Sequence, residues 1–435
     1  MSKAMSTLTP RERRAVALAF SCHFLLMGSY YILRPVRDTV ATVVGVAHLQ
    51  QLFTGTFIGT LLASTLYTAL ASRLRLTALL PGVFWFWLLN VVLFAVLFRL
   101  VPDNIWIGAA YYVWFSVANL FMISVFWSLV VDVFSATQAT RLFALIAAGG
   151  ALGAIAGPLL THVWVGTLGL SGMLLVAAAG FALTIPLVHL LMTEKQIDRD
   201  GVEDAQESTL DHSLKGNAFE GFSRLFKSGY AFNQAAFMLL MTWVNTVAYY
   251  CQTDLIARTY TAVASRAQAI ADIDLVVNVF TAAILLLGLG RLIQRFGVIW
   301  GLVLNPLLMV LAFAATALSP TLFMIQLLQV VRRVAQYAIA RPSREICFTV
   351  VDQSNRYKTK NVIDTVIYRF GDISSAWAQT GLRALGLGMS GAVTVGVAAS
   401  LAWGGVAVML GRRYAALSRP MIGRIAKRDF KTAQG

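Results

Sequence analysis

Long apolar runs separated by short polar turns fill most of the chain. They lie at about Ala15–Leu33, Gln51–Leu70, Ala78–Leu100 and Ile105–Asp132, then from Arg141 onward and at Gly172–Met192. A second series follows at about Tyr230–Gln252, Ala269–Gly290, Val298–Leu318, Thr321–Val351, Asn361–Leu385 and Ala392–Gly411. A bilayer-crossing helix needs roughly 20 apolar residues, and only helices close their own backbone hydrogen bonds within one segment. The pattern therefore predicts an all-α membrane protein of about 12 transmembrane helices. The first run is too long for a signal peptide and has no small-residue cleavage site, so it is expected to stay as a span. In the fifth run, Ala147-Ala148-Gly149-Gly150-Ala151-Leu152-Gly153 offers a small-residue face that permits close helix contact.

One stretch breaks the pattern. From Thr193 to Gly229 the chain is hydrophilic and carries Glu194, Asp198, Asp200, Glu203, Asp204, Glu207 and Asp211. It reads as a cytoplasmic linker (194–228) between a first six-helix half (1–193) and a second (229–411), with a basic tail at 412–435. Residues 218–226 have apolar positions at helical spacing and are expected to lie along the membrane surface. The second half echoes the first: Val130-Val131-Asp132 with Val350-Val351-Asp352, Tyr30-Tyr31 with Tyr249-Tyr250, and Arg75 with Arg295. These matches share an offset of about 220 residues, which points to duplication. Two parallel six-helix halves joined by a cytoplasmic linker describe a major-facilitator-like architecture, pseudo-symmetric, with substrate held between the halves.

Composition agrees and narrows the function. The chain has 435 residues, 58% hydrophobic and 13% charged, with a mean hydropathy of +0.71, which excludes an ordinary soluble domain. The net charge of +15 falls in loops and termini rather than on one face. It therefore points to a lipid bilayer, not to nucleic acid. Lys3, Arg11, Arg13 and Arg14 before the first span, and Arg412 to Lys431 after the last, place both termini in the cytoplasm of a cell inner membrane. Cys22, Cys251 and Cys347 lie in apolar helices and make no disulfide framework. There is no P-loop, metal-ligand cluster or Ser-His-Asp spacing, so neither an enzyme nor a cofactor is expected. The chain is expected to function as a monomer.

The chemistry gathers at one device that occurs twice, Arg34-Pro35-Val36-Arg37-Asp38 and Arg341-Pro342-Ser343-Arg344-Glu345. On a helix, residues four apart share a face, so Arg34 is expected to reach Asp38 and Arg341 to reach Glu345, leaving Arg37 and Arg344 freer. Charges within a span usually face a protein interior or water-filled cavity and mark a solute path. The bland alternative is that both blocks snorkel to an interface or pair internally. Arg332 and Arg333 fall near mid-membrane, one expected to face the cavity and one a neighbouring helix. Asp364, Arg369 and Asp372 supply acid partners or structural pairs. Asp132 and Asp352, at equivalent inner helix ends, are expected to be structural or gating residues, and Asp364 and Arg369 to share in gating or coupling. Asp254 and Arg258 form a surface pair, and His23 is packed. Trp85, Trp87, Trp114 and Trp243 could stack on a base, although most such rings in membrane helices serve packing.

Some of these residues carry a resemblance. Ile32-Leu33-Arg34-Pro35-Val36-Arg37-Asp38-Thr39-Val40 resembles the first-helix motif of the ATP/ADP translocases of plastids and intracellular bacteria. The stretch from Arg341 to Asp352, with Lys358-Thr359-Lys360-Asn361-Val362-Ile363-Asp364 after it, is similar to that family's late motif. Phe126-Trp127-Ser128 with Arg141-Leu142-Phe143 resembles its middle segment. The resemblance implies nucleotide exchange on a major-facilitator-like scaffold. The chain departs from the family where functional lysines are replaced by Arg37 and Arg344, and where an acidic residue gives way to Phe115. Arginine keeps the charge but grips phosphate with a planar fork.

Residues and resemblance together predict a secondary active transporter of a small anionic, nucleotide-like or phosphorylated solute, working by alternating access. Arg37 and Arg344 are expected to touch the anion, and the Arg34–Asp38 and Arg341–Glu345 pairs to hold or break with gating. The alternative is a proton-coupled symporter or efflux pump for a carboxylate-rich metabolite such as a siderophore, with Asp38, Glu345 or Asp364 carrying the proton.

Overall fold

A computed structural model of the chain describes residues 9–71, 76–102, 104–134, 136–199, 228–287, 297–351, 359–360 and 362–432. The acidic stretch from Asp200, the amphipathic 218–226 segment, Arg75, Arg295, Asp352 and Lys358 lie outside the described residues. What is described is almost wholly helical.

Helix α1 (Pro10–Val44) begins earlier than its apolar run because Thr9 and Glu12 cap it reciprocally. The Thr9 side chain accepts from the Glu12 N–H, and the Glu12 carboxylate takes the Thr9 N–H at 2.9 Å. A short 3₁₀ turn, Val46–His48, leads to α2 (Leu49–Ala71), followed by α3 (Leu76–Leu100) and α4 (Ile105–Val133). Asn104 starts α4 by accepting from the N–H groups of Trp106 and Ile107. The next segment, Ala136–Arg199, contains Gly169 at φ 64°, which divides it into α5 (136–168) and α6 (170–199). Glycine alone takes that conformation without strain, so the turn between these two spans shrinks to one residue.

The chain continues through α7 (Gly229–Thr259), α8 (Val263–Leu287) and α9 (Val298–Leu318). Helix α10 is composite: Leu322–Ala335, a widened π turn Gln336–Ala340, and Arg341–Cys347. So is α11, which opens with a π turn at Ile363–Ile367 and continues as Tyr368–Ala384. Helix α12 (Gly388–Thr432) closes the described chain. Among the described residues, seven helical stretches are long and apolar enough to cross a membrane. Helices α2, α7, α10 and α11 are not among them, and the last three carry the polar groups around Arg332 and Arg344 discussed below.

The chain divides into two compact units, Met1–Glu207 with Thr253–Val279, and Ser208–Gln252 with Phe280–Gly435. In the first, α1 is gripped by α5 and α6. Gly149, Gly153 and Gly157 recur every four residues on one face of α5, and a Cβ on any of them would collide with α1 backbone at Phe20, Phe24 or Gly28. Gly180 of α6 meets the Ser29 hydroxyl in the same way. The small-residue run thus does what its composition predicts. His23 is packed: its Nδ1 lies 2.9 Å from the Ile146 carbonyl, and its ring stacks on Phe126 at 4.5 Å.

The Thr253–Val279 segment is tied into this unit by polar contacts. Asn278 donates to the Ala154 carbonyl at 2.6 Å, and His162 Nδ1 meets the Asp272 carboxylate at 2.5 Å. Arg266 donates to the carbonyls of Ala257 and Tyr260, satisfying the end of α7, and to that of Thr42, near the end of α1. The expected Asp254–Arg258 pair forms at 2.9 Å, with the Asp254 side chain buried rather than at the surface.

In the second unit α9 packs on α12, with Phe313 over Gly396 and Ile299 against Gly411. Helix α7 meets α11 where Gly371 faces Thr242 and where Trp243 donates to Ser374 at 2.9 Å. At the start of α7, Tyr230 and Gln234 both donate to the Cys347 carbonyl, which has no helical partner beyond the end of α10.

Candidate functional site

The first block lies three-quarters of the way along α1, and Pro35 leaves the helix continuous. Arg37 turns onto its neighbour Asp38, with Nε–Oδ1 and Nη2–Oδ1 distances of 2.9 and 2.6 Å. Its guanidinium also lies over the rings of Tyr112 and Phe115, at 5.3 and 5.8 Å from their centroids. Both rings come from α4, which Tyr111 fixes against α1 by donating to the Leu33 carbonyl at 3.0 Å. Arg34 reaches Asp274 of α8 at 3.7 Å and lies over Tyr31. The Asp38 and Asp274 residues are each 1% exposed. Helical spacing alone pairs Arg34 with Asp38 and leaves Arg37 freer. In the structure Arg37 is engaged by Asp38, and Arg34 finds an acid far away in sequence.

The second block follows the widened turn of α10. The Arg341 N–H bonds back five residues to the Gln336 carbonyl, and the residue after it, Pro342, has no N–H to give. Arg344 is buried and donates to Asp364 at 2.6 Å, to Met238 Sδ at 3.2 Å and to Glu345 at 3.3 Å. Glu345 also takes Lys360 at 2.5 Å, and Lys360 and Arg344 both approach the Phe348 ring. Glu345 thus pairs with Arg344 and Lys360 in place of Arg341, which is exposed and lies over Tyr337. Asp364 sits inside the widened turn of α11, so two such turns flank one ion pair. Widened turns recur at functional sites because the extra residue re-aims neighbouring side chains.

Deeper in the same unit, Arg332 lies ten residues into α10, about 15 Å along its axis. Gln329 takes its Nε and Nη2 at 3.1 and 2.7 Å, while Asn245 and Gln336 take Nη1 at 2.7 and 3.3 Å. Gln329 is itself anchored to the Ala248 carbonyl of α7 at 2.8 Å. Arg333 is 2% exposed, so both arginines of the pair are buried. On α11, Arg369 lies 3.5 Å from Asp372, which accepts from Thr246 at 3.1 Å. Asp132 is half-buried near the end of α4.

Several of these partners are silent in the sequence. Asp274 stands out as an acid within an apolar run, which is a usable signal. Tyr112, Asn245, Gln329 and Gln336 carry none, because a neutral polar or aromatic residue in a span is ordinary. Replacing Asn245 with leucine removes an acceptor from a buried guanidinium, and it is expected to lower thermal stability by about 1–3 kcal/mol in detergent unfolding.

No family model matches the chain, and no curated protein matches it. Solved structures do. A bacterial homologue of the iron transporter ferroportin, in an inward-facing state, superposes with a TM-score of 0.65 at 13% identity over 93% of this chain and 100% of that one. A bacterial homologue of the human lysosomal transporter Spinster gives 0.59 at 15% identity over 95% of this chain and 98% of that one. The nucleoside transporter NupG gives 0.59 at 15% identity over 94% and 100%. At such identities the likeness is one of fold alone: the chain is an all-α membrane protein with the major-facilitator-like fold of these transporters.

Proposed function

We propose that the chain is a secondary active transporter of an anionic, nucleotide-like or phosphorylated solute, acting by alternating access as a monomer in the cytoplasmic membrane with both termini inside. The observation that carries this reading is Arg37, a guanidinium held inside a membrane-spanning unit between one carboxylate and two aromatic rings. A planar guanidinium grips phosphate or carboxylate oxygens bidentately, and rings beside it suit a base. The Asp38 carboxylate keeps the charge compensated until an anion takes its place. Arg344, held by Asp364 and Glu345, is built on the same plan. Ion pairs at Arg34–Asp274 and Arg344–Asp364 are the contacts that would break and re-form as the carrier cycles.

The test is exchange of labelled ADP, ATP and sugar phosphates by the purified chain in proteoliposomes. Wild type is expected to exchange at least one, and Arg37→Ala to lower that rate about tenfold or more, as loss of a charged hydrogen bond implies. Robust transport of an uncharged solute with no phosphorylated one would remove the reading. A second reading, proton-coupled symport or efflux of a carboxylate-rich metabolite, draws support from the burial of Asp38 beside Arg37, where a proton and an anion could trade places. It requires flux to follow an imposed pH gradient and to lose that dependence in Asp38→Asn.

A further inference from the structure

We propose that Ser116 and Asn119 of α4 form the subsite for the sugar hydroxyls of the transported solute, beside the guanidinium that takes its anionic end. The proposal rests on the reading above and gives that solute a class, a ribonucleotide or sugar phosphate. On a helix, positions 112, 116 and 119 share one face. Tyr112 and the flanking Phe115 are the two rings under Arg37, so Ser116 and Asn119 continue the row directly from the guanidinium.

The Ser116 hydroxyl and the Asn119 Oδ1 are each buried and unsatisfied. Ser116 is 7% exposed, and among the described residues neither its Oγ nor Asn119 Oδ1 has a hydrogen-bond partner. Thr39 of α1 also has an unsatisfied buried hydroxyl, but several other helical hydroxyls of this unit find a local partner. Thr56, Thr60 and Thr161 each bond the carbonyl four residues back, and Ser128 of the same helix bonds Ser124 at 2.9 Å. Ser116 forgoes that local partner. A buried polar group left unmade is costly, and ligand contact is one way such a cost is recovered.

The chemistry selects a hydroxyl. Ser116 can donate or accept, whereas Asn119 Oδ1 only accepts and would repel a phosphate oxygen. Side chains three apart on a helix stand about 5–6 Å apart at Cβ, close enough to converge on adjacent hydroxyls of one ring. A neutral donor–acceptor pair next to a cation thus matches a sugar joined to a phosphate.

The experiment compares two probe pairs in proteoliposomes of the full chain: ADP against 2′,3′-dideoxy-ADP, and ribose 5-phosphate against its 2,3-dideoxy analogue. Wild type is expected to prefer the hydroxylated member of at least one pair about tenfold, the size of one or two hydrogen bonds. Ser116→Ala and Asn119→Leu should each bring that preference towards unity by lowering transport of the hydroxylated compound, with folding certified by a monodisperse peak in detergent. Equal transport of both members by wild type, or an undiminished preference in the variants, overturns the subsite and leaves the anion reading standing. If wild type carries no member of either pair, the phosphorylated-solute reading falls and takes the subsite with it.

Discussion

Gly153→Val is expected to keep α1 and α5 from meeting and to deplete the folded protein, read as loss of the monodisperse peak and of cooperative thermal unfolding in detergent. A Cβ at this position would collide with the Phe24 carbonyl and lie 2.9 Å from the Gly28 nitrogen, both of them backbone. Backbone within a continuous helix cannot swing aside as a flexible side chain can, so the cost should exceed the about 1–3 kcal/mol typical of core overpacking. Without the tight α1–α5 contact, the register that sets Arg34 and Arg37 against their partners is lost too. Gly166, in the same helix with open space around its Cβ position, is the control. Gly166→Ala should be neutral or slightly stabilising, since alanine is the better helix former.

The contrast between these two glycines shows what a sequence gives up and what it withholds. The run 147–153 is legible as a contact face because small residues at spacing four have one geometric use in a membrane. Span positions are legible for the same reason, as backbone groups in lipid leave no alternative to a helix. Tyr30 and Tyr249, an offset pair in the sequence, each fall twenty residues after the start of α1 and α7. Gly169 withholds more: no polar turn marks it, because a single left-handed residue suffices to redirect the chain.

The candidate site is legible in its charges and opaque in its partners. Arg37, Arg344 and Arg332 announce themselves, since a charge within a span needs a reason. What holds them depends on widened turns and distant helices. One extra residue at 336–340 or 363–367 shifts every following side chain around the axis, and apolar periodicity is too coarse to register it. Arg341 and Glu345 both follow the first widened turn and keep their helical spacing, yet Glu345 goes to Lys360, fifteen residues on, and to its neighbour Arg344, which a spacing of four does not register. The polar content that makes α7 and α10 unremarkable as spans is the content that carries the Arg332 cradle.

Arg34→Ala should cost about 3 kcal/mol of stability, and the double variant Arg34→Ala with Asp274→Asn should recover most of it. The Asp274 side chain is 0% exposed and that of Arg34 is 11% exposed, so the pair sits where water cannot screen it. Removing the arginine takes a compensating charge away from a buried carboxylate in a medium that solvates it poorly. Removing the carboxylate charge as well returns the site to a neutral one, for which little electrostatic cost remains. The order of thermal midpoints should then be wild type, double variant, Arg34→Ala. A double variant as unstable as the single one would mean that the arginine contributes packing along its stem and not charge compensation. Because Asp274 belongs to α8 and Arg34 to α1, the same pair fixes the Thr253–Val279 segment to its unit, together with Arg266 on Thr42 and Asn278 on Ala154.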